Sequence, residues 1–171
     1  MSPVQRIIPP ALQGVYDNWH FAPAVVADGL IFCSGIIGTS PNGDTPDADG
    51  LAGAKATTQE ASNDLTALMA VRDPEAQFAT AFKALSAILR AADAELSDVV
   101  ELTTYHVDMS RHMDTFMRVK DHYIQAPYPA WTAIGVAELI VPGGLLEIRA
   151  VAQVPSGGIG RLSRLESGAS V

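Results

Sequence analysis

The chain has little cysteine and no long apolar run. Its 171 residues include one cysteine, Cys33, which excludes an intramolecular disulfide and a cysteine metal cluster. No segment approaches the roughly 20 uninterrupted apolar residues of a membrane span. The N-terminal residues also lack the basic region and long apolar run of a signal peptide. We therefore expect a cytoplasmic protein with no membrane partner and no bound metal.

Positive charge is also scarce. The chain carries 11 Lys and Arg residues against 19 Asp and Glu residues, for a net charge of −8. Nucleic acids are bound by clustered basic side chains that release counterions. This charge balance therefore predicts that nucleic acid is not a partner.

Length and composition predict one domain. A chain of 171 residues fits a single domain, and its 48% apolar content is ordinary for a globular protein. We assign the domain to residues 1–154 and a polar tail to residues 155–171. Residues 40–73 form a long insertion or loop, in which residues 54–71 are rich in Ala, Thr and Leu. A structureless loop of that length is uncommon, so we expect partial order there, with a short helix as one form. It is either a lid or a surface insertion without function.

Two helices are the clearest elements of the sequence. An N-cap acid, an N1 proline and an acidic first turn coincide at Asp73, Pro74 and Glu75. They open an amphipathic helix of about 20 residues. A second amphipathic helix ends before Pro127. The apolar stripes are Phe78, Phe82, Leu85, Ile88, Leu89 and Ala92 in the first helix and Met113, Phe116, Met117, Tyr123 and Ile124 in the second.

Extended segments surround these helices, at residues 5–9, 23–26, 30–34, 99–107, 131–137 and 145–154. Alternation in the last segment places Glu147 and Arg149 on the face opposite Leu146 and Ile148. The order of elements predicts an α+β fold, a mixed β-sheet with two helices packed on one face.

The other face of this sheet is left uncovered by the chain. We expect it to carry Trp131, Thr103 and Tyr105 or their neighbours. A large, half-apolar face exposed to water marks an interaction site or an aggregation hazard. We therefore expect the chain to self-associate through this face.

Four short motifs follow one another in a specific order and spacing. Residues 24–35 are similar to AV…G.L…SGQI, Gln77 and its helix to Q…L.N…L, residues 96–108 to L.DVVK…V…D, and residues 129–152 to PAR-[ST]…VEI.A.A. Together they resemble the Rid family (YjgF, reactive intermediate deaminases). The resemblance covers residues 18–154 outside the 40–73 segment.

The resemblance implies a chorismate-mutase-like α+β fold and a homotrimer with three small-molecule clefts between subunits. Archetypal members hydrolyse 2-imino or enamine acids to keto acids and ammonia, without a cofactor. An imine is already electrophilic, so such a site must hold the carboxylate, polarise the imine and position one water. In the family, an arginine after Pro-Ala binds the carboxylate bidentately, a Ser-Gly turn aids binding and a glutamate orients water.

The resemblance assigns catalysis to one residue of this chain. Glu147 matches the glutamate that orients water, and a salt-bridge role at a surface or interface is the alternative. Ser34 and Gly35 match the turn beside the ligand, where glycine has the backbone freedom such a turn needs.

Other positions depart from the family pattern. Trp131 replaces the arginine, Phe21 stands where many members have tyrosine, and Ile36 replaces the glutamine of SGQI. Each change exchanges a polar group for an apolar one, so the cleft should prefer an aromatic or apolar ligand. Trp131 either stacks on that ligand or closes the cleft by packing. Arg149 either supplies the missing cation or pairs with an acid.

We therefore expect a deaminase or hydrolase of an imine, enamine or related reactive metabolite, with altered substrate preference because Trp131 replaces arginine. The alternative is a non-catalytic small-molecule-binding or chaperone-like Rid protein. We predict a cleft built from two subunits. Trp131 and Glu147 are expected on one wall, because their strands are predicted to be adjacent, with Phe21 and residues 34–36 nearby.

Overall fold

The computed structural model of the chain describes residues 4–46, 51 and 69–155. The helices there are α1 (Gln13–Trp19), α2 (Pro74–Ala91) and α3 (Met109–Tyr123). The strands are β1 (Gln5–Ile7), β2 (Ala24–Ala27), β3 (Leu30–Cys33), β4 (Ile36–Ile37), β5 (Thr39–Ser40), β6 (Met69–Ala70), β7 (Val99–His106), β8 (Ala130–Gly135) and β9 (Leu146–Gln153).

One mixed sheet dominates the fold. Its strand order is β1-β2-β3-β9-β7-β8, with β4 also paired to β9. Adjacent strands in this sheet are antiparallel except β7 and β8, which run parallel. Helix α3 connects these two strands, because a parallel pair requires a crossover connection. The separate pair β5 and β6 brackets the long connection between them. The predicted α+β fold is confirmed, with α2 and α3 packed against each other on one face of the sheet.

The start of α2 follows the capping chemistry of the sequence. Asp73 Oδ1 accepts a hydrogen bond from the backbone N–H of Ala76 at 2.8 Å, and Pro74 occupies the first helical position. Four apolar side chains of the predicted stripe are then completely buried against the sheet: Phe78, Phe82, Leu85 and Leu89. This burial is the main source of the stability of the helix.

Strand β9 lies at the centre of the sheet and alternates as predicted. Leu146, Ile148, Ala150 and Ala152 are buried in the core under the helices. Glu147 and Arg149 project from the opposite, open face. Registers pair Tyr105 with Glu147 and Thr103 with Arg149, so the predicted placement of these two β7 residues on the open face is confirmed.

Trp131 lies on the helix-covered face, so its predicted placement on the open face is wrong. The register pairs Trp131 with Leu102, whose side chain is buried in the core. The indole and Phe116 ring centroids are 5.8 Å apart, and Lys120 Nζ lies 5.2 Å from the indole centroid. Both contacts come from α3, because parallel pairing with β7 turns this side chain toward the helix layer.

Helix α1 was not predicted. It contains Gly14, begins without a side-chain cap at Leu12 and ends at His20, whose φ is 58°. None of these features is a helix signal in the sequence. The short helix expected within residues 54–71 and the tail beyond Pro155 lie outside the described residues, apart from the few positions from 69 onward. No helix in the described ranges is long and apolar enough to cross a bilayer.

Candidate functional site

The main sheet is interrupted on one side of β9. β3 pairs with β9 residues as far as Val151, and β4 pairs with Glu147 and Ile148. Ser34 and Gly35 join these two strands, so they lie beside the middle of β9. A cavity of about 620 Å³ opens at this interruption, a volume in the range of small-molecule sites.

The cavity wall is mostly apolar. It is formed by α1, by Val25 and Phe32 of the open sheet face, and by the inner side of α2 at Ile88. Among the described lining residues, only Glu147 and Arg149 carry charge. A mostly apolar cavity with a few convergent polar groups is the usual composition of a ligand site.

Six of the seven predicted site residues line this cavity: Phe21, Ser34, Gly35, Ile36, Glu147 and Arg149. Trp131 is the seventh, and the cavity lining does not include it. β7 lies between β8 and β9, so the strands of Trp131 and Glu147 are not adjacent, and the two side chains project from opposite faces. The prediction that they share one wall is wrong within a single protomer, while contact of Trp131 with a ligand stays a prediction.

Glu147 lies directly over Gly35. A Cβ atom built on Gly35 would overlap the Glu147 carboxylate, so a larger residue at this turn would require the Glu147 side chain to move. Glu147 is half-buried, and this burial raises the pKa of its carboxyl above the usual value, because a low-dielectric environment disfavours the charged form. The raised pKa makes this carboxylate a stronger base than an exposed glutamate.

Both the hydroxyl and the backbone N–H of Ser34 are used in structural hydrogen bonds. Its hydroxyl donates to the Ala22 carbonyl at 2.7 Å, and its backbone N–H donates to the Pro23 carbonyl at 2.9 Å. These bonds fix the 21–23 segment against the β3–β4 turn. Phe21 is thereby held at the cavity, with its ring 6.4 Å from that of Trp19 between centroids.

Arg149 pairs with an acid, and that acid is Glu101 on β7. Arg149 Nη1 donates to Glu101 Oε1 at 3.3 Å. Of the two alternatives for Arg149, the ion pair is present within the protomer. The guanidinium still lines the cavity, so pairing with Glu101 does not remove it from the site.

Trp131 takes part in a buried polar chain on the helix face. Its Nε1–H donates to Thr104 Oγ1 at 2.9 Å, and Thr104 Oγ1 lies 2.8 Å from His106 Nε2. Thr104 and His106 are both buried, and burial lowers the pKa of His106. A neutral His106 accepts at Nε2 from the Thr104 hydroxyl, so all three polar groups are satisfied. Trp131 therefore packs against α3 and Thr104 on the helix face and does not close this cavity within one protomer.

Several lining residues had no sequence signal. Trp19, Val141 and Ile37 pack together beside Ala70, and all of them except Ala70 border the cavity. Leu51 also lines it, so the long connection supplies part of the wall. These residues come from α1, from β4 and from loops, and only the tertiary fold brings them together.

Gln77 holds the loop over the cavity. Its side chain is fully buried and donates to the carbonyls of Val71 at 2.8 Å and Gly143 at 3.1 Å, while its Oε1 accepts from the N–H of Leu145 at 2.6 Å. The family motif singled out Gln77 without a role. The structure gives it one, because it ties the start of α2 to the β8–β9 loop.

Cys33 is an unreactive wall residue. Burial raises the pKa of its thiol to about 12, although the charge of Arg149 acts in the opposite direction. A thiol with such a pKa is not a nucleophile near neutral pH. Within the described ranges, no three His, Cys, Asp or Glu side chains are grouped to hold a metal ion.

A family model described as Endoribonuclease L-PSP matches residues 15–154. The chain belongs to this family. The match confirms the Rid assignment that the motifs predicted. The chain is 28% identical over 150 residues to the RutC family protein YjgH of Escherichia coli, covering 87% of this chain and 94% of that protein.

Solved structures share the fold of this Rid-family chain. Protein YjgH has a TM-score of 0.66 at 25% identity, covering 89% of this chain and 97% of that one. A YjgF-family protein from Mycobacterium tuberculosis has a TM-score of 0.63 at 22% identity, covering 89% and 100%. RidA from the Antarctic bacterium Psychrobacter has a TM-score of 0.60 at 24% identity, covering 90% and 100%.

Proposed function

We propose that this Rid-family chain is a cofactor-independent deaminase that hydrolyses an imine, an enamine or a related reactive metabolite. The observation that carries the proposal is the Glu147 carboxylate, which borders a mostly apolar cavity of about 620 Å³ and lies over Gly35. Burial raises the pKa of this carboxyl. A carboxylate with raised basicity in a partly dry cavity is suited to activate one water.

The reaction needs one proton acceptor. Glu147 in its ionised form accepts a hydrogen bond from a water molecule and takes its proton as the oxygen bonds to the imine carbon. The carbon–nitrogen π electrons move to nitrogen, which takes this proton from Glu147 and gives a neutral carbinolamine. Glu147 then accepts the proton of the carbinolamine hydroxyl group and passes it to nitrogen, so that the carbon–nitrogen bond breaks and ammonia leaves as the carbonyl forms. Imine and water are thus converted to a carbonyl compound and ammonia with no other reactant.

The altered substrate preference is part of the proposal. Trp131 has one N–H donor, and that donor is bonded to Thr104, so Trp131 cannot replace the carboxylate-binding arginine. Phe21 and Ile36 add apolar area to the cavity. These features support a ligand with more apolar surface than the smallest 2-imino acids.

We also propose that the chain is a homotrimer with its clefts between subunits. The family resemblance supports this, and so does the open sheet face, where Phe32 and Ile134 are 37% and 39% exposed. A subunit packed on this face would bury both side chains. Light scattering should then give three times the mass of the chain, and a stable monomer at micromolar concentration contradicts the trimer.

Two other functions compete with deamination. A non-catalytic binding protein is favoured by the small number of polar groups in the cavity wall. The family description names an endoribonuclease, but the net charge of −8 disfavours RNA as a substrate. We propose a cytoplasmic location for either small-molecule function.

A trapping assay separates these functions. An amino-acid oxidase generates 2-imino acids from phenylalanine, leucine or alanine, and semicarbazide traps them as semicarbazones. A deaminase lowers semicarbazone formation in proportion to its concentration, whereas a binding protein lowers it only up to one equivalent per site. Cleavage of labelled RNA in the absence of imine hydrolysis would contradict the proposal.

A further inference from the structure

The cavity passes through the main sheet. It is bordered by Arg149, which projects from the open face, and also by Ala84 and Ile88 of α2, which is packed on the other face. Among the described strands, neither β3 nor β4 pairs with β9 between Ile148 and Val151. The cavity therefore has an outer part on the open face and an inner part that reaches the helices through this gap.

The inner part of the cavity has an aliphatic wall. It is bordered by side chains that also belong to the buried core, those of Leu12, Val15, Leu51, Ala84 and Ile88. Glu147 and Arg149, the charged groups among the described lining residues, both project from the open face of β9. The inner part is therefore suited to an apolar group, because an ion placed there would lose its hydration without a charged partner.

Ala84 keeps the inner part of the cavity open. It lies one helical turn before Ile88, is 4% exposed and carries only a methyl group. An apolar void beside such a residue costs stability, because the atoms that line the void lack dispersion contacts on one side. A larger side chain at position 84 would supply these contacts, and so would a bound apolar ligand.

We propose that the inner part of the cavity binds a straight alkyl chain. The ligand is then an amphiphile whose chain passes through the sheet and whose polar end stays at the open face. A straight chain is the apolar group that fits, because it must pass the turn at Ser34 and Gly35 to reach α2. Binding of the chain needs neither the charge of Glu147 nor that of Arg149, so the inference does not rest on the proposed deaminase activity.

Calorimetry with 1-butanol, 1-hexanol and 1-octanol tests this site in the wild-type protein. These alcohols are neutral, so no ion pair contributes to their affinity. Each methylene group buried in the inner part should raise the affinity about fourfold. Cyclooctanol has as many carbon atoms as 1-octanol but a bulky ring, and it should bind about tenfold more weakly. Equal affinity for 1-butanol and 1-octanol, or for cyclooctanol and 1-octanol, overturns the inference.

Two substitutions that fill the cavity test where the chain binds. Ala84→Leu fills the inner part from α2 and should weaken 1-octanol binding about tenfold or more, while the melting temperature of the free protein rises. Val15→Phe fills the same space from α1 and should weaken binding as well. The matched control is Ala91→Leu, at an exposed position of α2 outside the cavity lining, which should leave 1-octanol binding unchanged.

The results of these titrations are decisive in either direction. Affinity for 1-octanol that is lost in the two filling variants and kept in the control supports the alkyl-chain site. Affinity that is unchanged in the filling variants would mean that the chain binds on the open face, and it overturns the inference, as does the absence of 1-octanol binding to the wild-type protein. Imine hydrolysis is a separate readout, and its failure would leave the alkyl-chain site standing.

Discussion

The Glu147 carboxylate occupies the space into which a side chain at Gly35 would extend. Gly35 lies in the turn between β3 and β4, Glu147 lies on β9, and the two meet because β4 pairs with the start of β9. Glycine at position 35 therefore leaves the Glu147 carboxylate free to lie against the turn.

This contact predicts that substitutions of the two residues are not additive. Gly35→Ala should destabilise the wild-type protein by about 0.5–1 kcal/mol, because the added methyl group displaces a side chain that is free to move. In a Glu147→Ala background the same change should cost much less, with a coupling of about 0.5–1 kcal/mol. Thermal unfolding of the four proteins at one concentration measures the coupling, and additive effects would rule out the contact.

The raised pKa of Glu147 predicts a stability that depends on pH. Burial raises the pKa of the Glu147 carboxyl in the folded protein above 4.5. The folded protein therefore binds this proton more tightly than the unfolded chain does. The free energy of unfolding falls as the pH rises from about 4.5 through the pKa of the folded state. Glu147→Gln removes the cost of burying the charge. The variant should therefore melt at a higher temperature than wild type near pH 7, and the difference should shrink toward pH 4.5. A difference that does not change with pH would contradict this assignment.

Thr104 links the partly buried indole N–H of Trp131 to the buried His106, so its hydroxyl should matter more than its methyl group. Thr104→Val keeps the shape but leaves Trp131 Nε1 and His106 Nε2 without their partner. We expect a loss of about 1–3 kcal/mol in the free energy of unfolding. Thr104→Ser retains the hydroxyl and should lose less. Denaturant unfolding of both variants checks the order, and the reverse order would show that the hydrogen bonds contribute little.

Gln77 should control the β8–β9 loop. Gln77→Leu fills the same space but removes three hydrogen bonds to Val71, Gly143 and Leu145. We expect faster amide hydrogen exchange in residues 136–145 and a lower melting temperature, because buried backbone groups lose their partners. Gln77→Glu keeps the acceptor for Leu145 but turns a carboxylate oxygen toward two backbone carbonyls in a buried site, so it should not restore the slow exchange of the wild-type protein. Unchanged exchange in Gln77→Leu would contradict this role.

Local signals in the sequence predicted much of the fold. The Asp73 cap, the stripe of α2 and the alternation of β9 are short-range patterns, and each corresponds to a side chain that is buried or bonded as expected. The family motifs also selected Glu147 and Gly35, which meet at the cavity. Their contact depends on strand pairing, so motif spacing alone did not predict it.

Local sequence patterns could not predict on which face of the sheet Trp131 lies. The sequence shows that two late strands follow α3, but it does not show that β7 lies between them. Since β8 pairs parallel with β7, its register determines which residues point toward the helices. The partner of Arg149 depends on the same topology, because Glu101 lies on β7.

The rate of imine hydrolysis in Glu147→Gln is the most direct test of the role of the cavity. Glutamine keeps the shape and hydrogen bonding of the side chain but cannot accept the proton from water. We expect turnover to fall about a hundredfold or more, while Glu138→Gln, the same change at an exposed residue outside the cavity lining, leaves it unchanged. Turnover of Glu147→Gln equal to that of the wild-type protein would contradict the account.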